Sequence, residues 1–427
     1  MNKTLFMLLS GLLLFCSCSK KPAEPLASVL KMEGISAVGP YLTKDNKGNP
    51  VLCWTEQDAK DSLYRLKYAV YNRKTEAFNA VVTVAASAGS STSAESMGKI
   101  AFKADGMVMA VFAKRFPKEK NPYAGAIYYS FSADDGKNWS KAQFLHSDTS
   151  HAYGRSFFDV STLKDGELAA IWLDGRYGKS IKGSALFFSR TEKGKGFGLD
   201  TCLDKGTCEC CRTDILCDQS GNIHLAYRSI QFPSALSGKQ VRDMVYKIST
   251  DNGKTFSAAK TISKDNWEIE GCPHSGPSLA ESKNGINALW FTAGGHPGLY
   301  FTTAPQGADF RGRQLMTAQG RHPQMVALTD GRLAAVCEES TGGAESAMQH
   351  MNHSGGKMSM AMMPAAPAKI VLRILGGPVV LPSVNISNGQ YADHHAVLSD
   401  LDKDVLVAWI RDSHGRSEIC YSKININ

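Results

Sequence analysis

Short apolar runs alternate with glycine-centred turns from about residue 26 to the end of the chain, and no segment carries the three-to-four spacing of an amphipathic helix. One arrangement recurs. An apolar strand leads to a Gly turn, and a second apolar strand places a bulky residue six positions after that Gly. The pairs are Gly48 and Trp54, Gly106 and Phe112, Gly166 and Trp172, Gly221 and Tyr227, and Gly331 and Cys337. Gly285 leads to Trp290 or Phe291, and in the last copy Lys403 stands at the same distance from Trp409. Dipeptides such as Asp105-Gly106, Asp165-Gly166 and Asp330-Gly331 favour tight hairpin turns, so each copy reads as a β-hairpin.

The hairpins start near Tyr41, Lys99, Phe158, Thr213, Pro277, Pro323 and His395. A third apolar strand is predicted after each, over residues 63–70, 126–130, 185–189, 244–249, 299–303, 370–374 and 419–423. Repeated short β units with no helix between them predict an all-β fold, a β-propeller. Seven blades are favoured and six are the alternative. Radial repetition lets residues 26–427 form a single domain, because each blade buries its faces against its neighbours. The last unit has only three strands, and residues 26–32 are expected to supply its fourth.

Two third strands run into the same motif. Ser132, Asp134, Gly136 and Trp139 are spaced as Ser249, Asp251, Gly253 and Phe256. This Ser-x-Asp-x-Gly-x-x-aromatic pattern resembles the Asp-box of the sialidase and BNR-repeat superfamily. The resemblance implies a sialidase-like propeller in which the box is a structural turn between the third and fourth strands. It speaks to fold and not to chemistry.

The start of the chain reads differently. Residues 1–17 have a positive start at Lys3 and an apolar run over 5–15 that is too short for a stable membrane span. They resemble a bacterial lipoprotein signal, which implies cleavage before Cys18 and acylation of that residue. Residues 18–25 then form a polar tether. The expected location is the bacterial cell envelope, lipid-anchored and facing the periplasm, with the membrane as a partner through the anchor. A plain secretory signal is the alternative.

The chain of 427 residues has a net charge of +8 that is dispersed, with no basic block, which argues against nucleic acid as a partner. Its 11 Cys and 15 Met are more telling, because they are unevenly placed. In a propeller the loops before the innermost strands converge on the axis. Before the fourth hairpin come Cys208, Cys210, Cys211 and Arg212. Before the fifth come Cys272 and His274, before the sixth Arg321 and His322, and before the seventh His394 and His395. Met97 precedes the second, and His151 and Arg155 precede the third. Thiolate and imidazole are donors for a soft or borderline metal, so Cys208, Cys210, Cys211, Cys272, His274, His322 and His395 are the candidate central ligands. Disulfides are the competing reading for the cysteines.

A second feature is the insertion over 345–366. It holds Met348, Met351, Met358, Met360, Met362 and Met363 with His350 and His353, interleaved with small and polar residues. This composition suits a surface loop and not a core segment. It resembles the Met/His-rich segments of periplasmic copper-resistance proteins, which implies recruitment of Cu(I). The loop belongs to the same face as the axial residues, as do His296 and His414. Copper is therefore the expected cofactor, with zinc also compatible with the cysteines, and a metal-donor or acceptor protein is an expected partner.

Two other functions fit the fold. Sialidase-type enzymes grip a substrate carboxylate with three arginines, and Arg155, Arg212 and Arg321 precede innermost strands, with Asp159, Asp174, Glu338 and Glu339 as candidate acids. However, the first innermost strand reads Val38-Gly39-Pro40-Tyr41-Leu42 and lacks the arginine that the superfamily carries there. The third reading is a non-catalytic binding propeller whose cysteines are structural disulfides.

Overall fold

The computed structural model describes residues 27–233, 238–341, 367–376, 379–380, 382–413 and 415–426. The signal segment with Cys18, the Met/His-rich stretch with Met348, Met351, Met358, Met360, Met362 and Met363, and His414 lie outside the described residues.

The chain folds as an all-β propeller. Five sheets are separate blades. Their three longer strands are Ala37–Lys44, Pro50–Gln57 and Tyr64–Asn72 in the first, and Lys99–Phe102, Val108–Arg115 and Gly125–Ser132 in the second. The third has Arg155–Thr162, Leu168–Asp174 and Ser184–Arg190, and the fourth Asp214–Cys217, Ile223–Arg228 and Met244–Ser249. The fifth has Ser278–Ser282, Gly285–Thr292 and Gly298–Ala304. The sixth sheet is nine-stranded. It contains one antiparallel set, Gly320–Ala327, Leu333–Ser340 and Ala368–Gly376, and a second, Ala392–Leu401, Asp404–Ser413 and Arg416–Asn425. A single parallel pairing, Ala368 with Ala392, joins the two sets. Ser28–Val29 pairs with Tyr421 and Cys420 at the edge of the second set, so the start of the domain completes the strand set at its end.

The packing partners follow the strand period of two. In Leu168–Asp174 every residue is buried. Leu168, Ala170 and Trp172 pack with strands of the preceding unit, whereas Ala169, Ile171 and Leu173 pack with the following one. The same division runs around the molecule and ends where Trp54 and Ala37 meet Val397, Ala408 and Ile419. The bulky markers of the repeat, Trp54, Phe112, Trp172, Tyr227, Trp290, Cys337 and Trp409, are all buried. Burying one large aromatic contributes about 1.5–3 kcal/mol.

Both motif turns adopt the expected form. Ser249 Oγ donates to Asp251 Oδ1 at 2.8 Å and accepts from Gly253 N at 2.9 Å, while Asp251 Oδ1 accepts from Thr255 N at 2.9 Å. In the first copy Gly136 N donates to Ser132 Oγ at 2.8 Å, Asn138 N donates to Asp134 Oδ1 at 2.9 Å, and Trp139 Nε1 donates to Gly136 O at 3.1 Å.

A further regularity appears at the heads of the innermost strands. The pairing register shifts between Val38 and Tyr41, Ser156 and Asp159, Arg321 and Gln324, and His394 and Val397. Each bulge contains one residue with left-handed backbone: Gly39 at φ 62°, Phe157 at 53°, His322 at 45° and His395 at 50°. His274, ahead of Ser278–Ser282, has φ 47°. Bulges re-aim side chains. For Phe157 and the three histidines the left-handed backbone costs about 1–2 kcal/mol each.

Candidate metal centre at the propeller axis

A cavity of about 160 Å³ lies among the innermost strands, lined by residues that include Tyr41, Lys99, Asp159, Asp214, Ser278, Gln324 and Val397. It is a charged interior. Lys99 Nζ donates to Phe158 O at 2.8 Å and stands 3.6 Å from Asp159 Oδ1. Asp159 accepts from Ile215 N at 3.0 Å, and Asp214 accepts from Leu279 N at 2.5 Å. Burial, then the charge of Asp159, pushes the Asp214 carboxyl well up, while burial pulls the Lys99 ammonium down. Arg212 also lines this cavity, and its Nε pairs with Glu95 Oε2 at 3.0 Å.

Glu95 is the centre of the cluster. Its Oε1 lies 2.9 Å from His395 Nε2 and 3.6 Å from His322 Nε2. The two imidazoles stack with centroids 4.2 Å apart. Donor atoms of Glu95, His322 and His395 all lie within 4.8 Å of one another, a separation that one ion can bridge with small adjustment. Both carboxylate oxygens of Glu95 are buried and, among the described residues, have ion-pair partners but no conforming hydrogen bond.

Glu338 orients this set from behind. Its Oε1 meets His322 Nδ1 at 2.7 Å, and its Oε2 accepts from His395 N at 2.8 Å. The first contact leaves Nε2 of His322 facing Glu95, and the second holds the bulge at His395. His394 Nδ1 stands 2.6 Å from His395 Nδ1, and its Nε2 stands 3.1 Å from Asp412.

The cluster sets the titration of its members. Burial raises the Glu95 carboxyl, but Arg212, His322 and His395 outweigh it and hold the group at about 2. Burial likewise opposes ionisation of Glu338, and His322 overrides it and depresses the group strongly. For His322 burial pulls downward, and Glu338 and Glu95 together leave it above its usual value. Burial, then the neighbouring His322, lowers His395 to about 4. Burial thus favours the neutral form of His395, whereas the two carboxylates favour the protonated form of His322.

The cysteines form a second cluster. Cys210 and Cys272 are joined as a disulfide with Cα atoms 5.9 Å apart, so in this form neither offers a thiolate to a metal. Cys208 Sγ lies 3.1 Å from Cys211 Sγ and 3.8 Å from Cys210 Sγ. Arg242 Nη1 donates to Cys208 Sγ at 3.2 Å. The Cys211 thiol, then Arg242 and Arg228, lower Cys208, whereas burial pushes Cys211 up. Cys210, Cys272 and His274 also place their donor atoms within 4.8 Å of one another, but two of the three are committed to the S–S bond.

The sequence candidates therefore divide. His322 and His395 meet; Cys208, Cys210, Cys211 and Cys272 gather in a separate group, with His274 beside Cys272. Glu95 was missed, although it stands only two positions before Met97, because a single carboxylate in a loop carries no spacing signal. Met97 itself is buried against Gly39. His151 contacts Tyr128 OH at 2.6 Å and stacks on Phe116, and the His296 carbonyl accepts from Tyr300 OH.

The arginines do not form a free carboxylate clamp. Arg155 is spent on Asp174 at 3.0 Å, Asp148 at 2.7 Å and Ser150 O at 2.6 Å. Arg212 is spent on Glu95 and donates to Pro323 O at 3.3 Å. Arg321 lies over the Phe291 ring, with Nε and Nη2 buried and no hydrogen bond to them among the described residues.

No family model and no curated protein matches the chain. Among solved structures it is similar to a protein of unknown function from Dyadobacter fermentans, at 15% identity and TM-score 0.50, covering 95% of this chain and 99% of that one. It is also similar to a mutant of Trypanosoma rangeli sialidase displaying trans-sialidase activity, at 12% identity and TM-score 0.44, covering 76% of this chain and 53% of that one. An α-L-arabinofuranosidase from Fusarium graminearum in complex with an iminosugar inhibitor gives 11% identity and TM-score 0.47, covering 74% and 93%. At these identities the likeness is one of fold alone.

Proposed function

We propose that this protein is an envelope lipoprotein whose propeller binds a transition metal at its axis, for metal trafficking, sensing or detoxification. The observation that carries the reading is the convergence of Glu95, His322 and His395, from three distant parts of the chain, on one buried point. Two imidazoles and a carboxylate suit a divalent ion such as Cu(II) or Zn(II), and strained backbone at both histidines is what a site pre-organised for a ligand needs. Copper is the metal we favour, because the Met/His-rich insertion offers thioethers for Cu(I). A metal-donor or acceptor protein is the partner this reading requires, and the lipid on Cys18 would hold the domain at the membrane.

We propose seven blades, with six as the alternative. The two antiparallel sets of the nine-stranded sheet each have three strands of their own, and an apolar cluster separates them as others separate the five single sheets. In this reading the strand at Ser28–Val29, paired with Tyr421 and Cys420, would close the seventh.

The test is elemental analysis of natively purified protein, followed by titration of metal-free protein with Cu(II) and Zn(II). One copper per chain, lost in a Glu95→Gln, His395→Ala double variant that keeps its fold, is the expected result. Absence of metal binding, together with hydrolysis of a fluorogenic sialoside, would replace this reading with the glycosidase one.

A further inference from the structure

The cysteine cluster shares no donor residue with Glu95, His322 and His395 and has a chemistry of its own. Four sulfurs from two chain segments are gathered at one place, and they differ in state and access. Cys208 and Cys211 are free and buried, and their sulfurs are in contact at 3.1 Å. Cys210 and Cys272 are bonded, Cys210 being buried and Cys272 exposed. Cys208 Sγ faces the Cys210 end of that bond at 3.8 Å, close to sulfur–sulfur van der Waals contact. Arg242 Nη1 donates to Cys208 Sγ and would stabilise a thiolate there. Cys208 N donates to Arg228 O at 2.9 Å, which fixes the backbone that carries the attacking sulfur.

We propose that these four cysteines are a thiol–disulfide exchange centre, in which the buried Cys208/Cys211 pair passes two electrons to the Cys210–Cys272 bond, which reaches the surface at Cys272. In the first step the Cys208 thiolate attacks Cys210 Sγ. The Cys208–Cys210 bond forms, the Cys210–Cys272 bond breaks, and its electron pair leaves on Cys272 Sγ, which takes a proton from solvent. In the second step the Cys211 thiol loses its proton and attacks Cys208 Sγ. The Cys208–Cys211 bond forms, the Cys208–Cys210 bond breaks, and the Cys210 sulfur leaves with its electron pair and takes up the proton that Cys211 lost. The buried dithiol has been oxidised to a disulfide and the outer disulfide reduced to a dithiol, with no external oxidant consumed. Cys272 is then the surface point at which a dithiol or disulfide couple in solution exchanges with the centre. The inference does not depend on a metal at Glu95, His322 and His395.

The purified chain would be equilibrated in glutathione buffers of graded potential, quenched in acid and alkylated, and its disulfides mapped by peptide mass spectrometry. Cys208–Cys211 or Cys208–Cys210 linkages are expected alongside Cys210–Cys272 in chains that hold one disulfide, and because the exchange is an isomerisation their ratio should stay constant across the potentials at which that state is present. In Cys208→Ser, linkages to Cys211 should fall at least tenfold while Cys210–Cys272 persists. If Cys208→Ser does not fold, Cys272→Ser replaces it, and Cys210 is then expected to be bonded to Cys208. A chain that holds only Cys210–Cys272 at every potential, or a Cys272→Ser variant in which Cys210 stays free, overturns the proposal. So does a thiolate-bound metal ion at one per chain that blocks Cys208 and Cys211 from alkylation and leaves no alternative disulfide.

Discussion

His395 Nε2 stands 2.9 Å from Glu95 Oε1, which ties the head of the last innermost strand to a loop ahead of the second hairpin. That contact exists because a bulge with left-handed backbone at His395 turns the imidazole inward, and Glu338 holds the bulge by accepting from His395 N. Glu95→Gln keeps the shape and removes the charge, and it is expected to weaken divalent metal binding more than a hundredfold. Glu338→Gln touches only the orienting contacts to His322 and His395, so a smaller loss, about 10–100-fold, is expected. Competition titration against a chromophoric chelator separates the two, and equal losses would remove the distinction between ligand and support.

The insertion over 345–366 is assigned a different task from the axial site. Its deletion is expected to lower the Cu(I) stoichiometry of reduced protein while leaving the affinity for a divalent ion within about threefold, since imidazole and carboxylate do not depend on thioether donors. Binding measured with a Cu(I)-specific competitor decides this. Unchanged stoichiometry would sink the recruitment role.

Much of the fold was legible because each unit repeats the same physics. A turn Gly six residues before a bulky side chain fixes a hairpin whose second strand is buried on both faces, and the seven bulky residues are all buried. All seven expected third strands are present, the fourth of them, Met244–Ser249, with unchanged bounds. The axial site was only half legible. His322 and His395 stood out as rare residues at repeated positions, but the register shifts that aim them leave no mark in composition. Glu95 was invisible for the reason that carboxylates are common in loops, and only the closed ring brings it to the histidines. The Cys210–Cys272 bond was one of several pairings that spacing allowed, and only the three-dimensional fold selects among them.

Acid should destabilise the domain through His146 as well as through carboxylates. This ring is buried, with Nε2 accepting from Ile127 N at 3.2 Å and Nδ1 at 2.6 Å from Asp148 O, a pattern met by the neutral tautomer. Burial, then the charge of Arg155, lowers its pKa from 6.5 to about 4. The unfolded chain therefore binds a proton between those values and the folded chain does not, so this group's contribution is full above pH 6.5 and is lost as pH falls toward 4. The loss amounts to about 3 kcal/mol, from the ~1.4 kcal/mol that each unit of pKa represents. Urea unfolding across this window should show the decline in wild type and a shallower one in His146→Gln. Parallel curves would place the acid sensitivity elsewhere.

Gly253 tests whether the motif turn holds neighbouring units together or only decorates them. It has φ +84°, and a Cβ there would meet Phe188 Cζ at 2.6 Å. Phe188 belongs to the preceding unit and packs edge-on against Phe256 of the same motif, with ring centroids 5.0 Å apart. Gly253→Ala therefore carries two penalties, about 1–2 kcal/mol for left-handed backbone and about 1–3 kcal/mol for forcing a packed ring aside. Gly194 has φ +71° and open space for 4 Å around the place a Cβ would take, so Gly194→Ala carries the backbone penalty alone. Urea denaturation of both variants should give a loss for Gly253→Ala that exceeds the other by about 1–3 kcal/mol. Equal losses would mean that the turn is locally strained but does not brace the interface between the units.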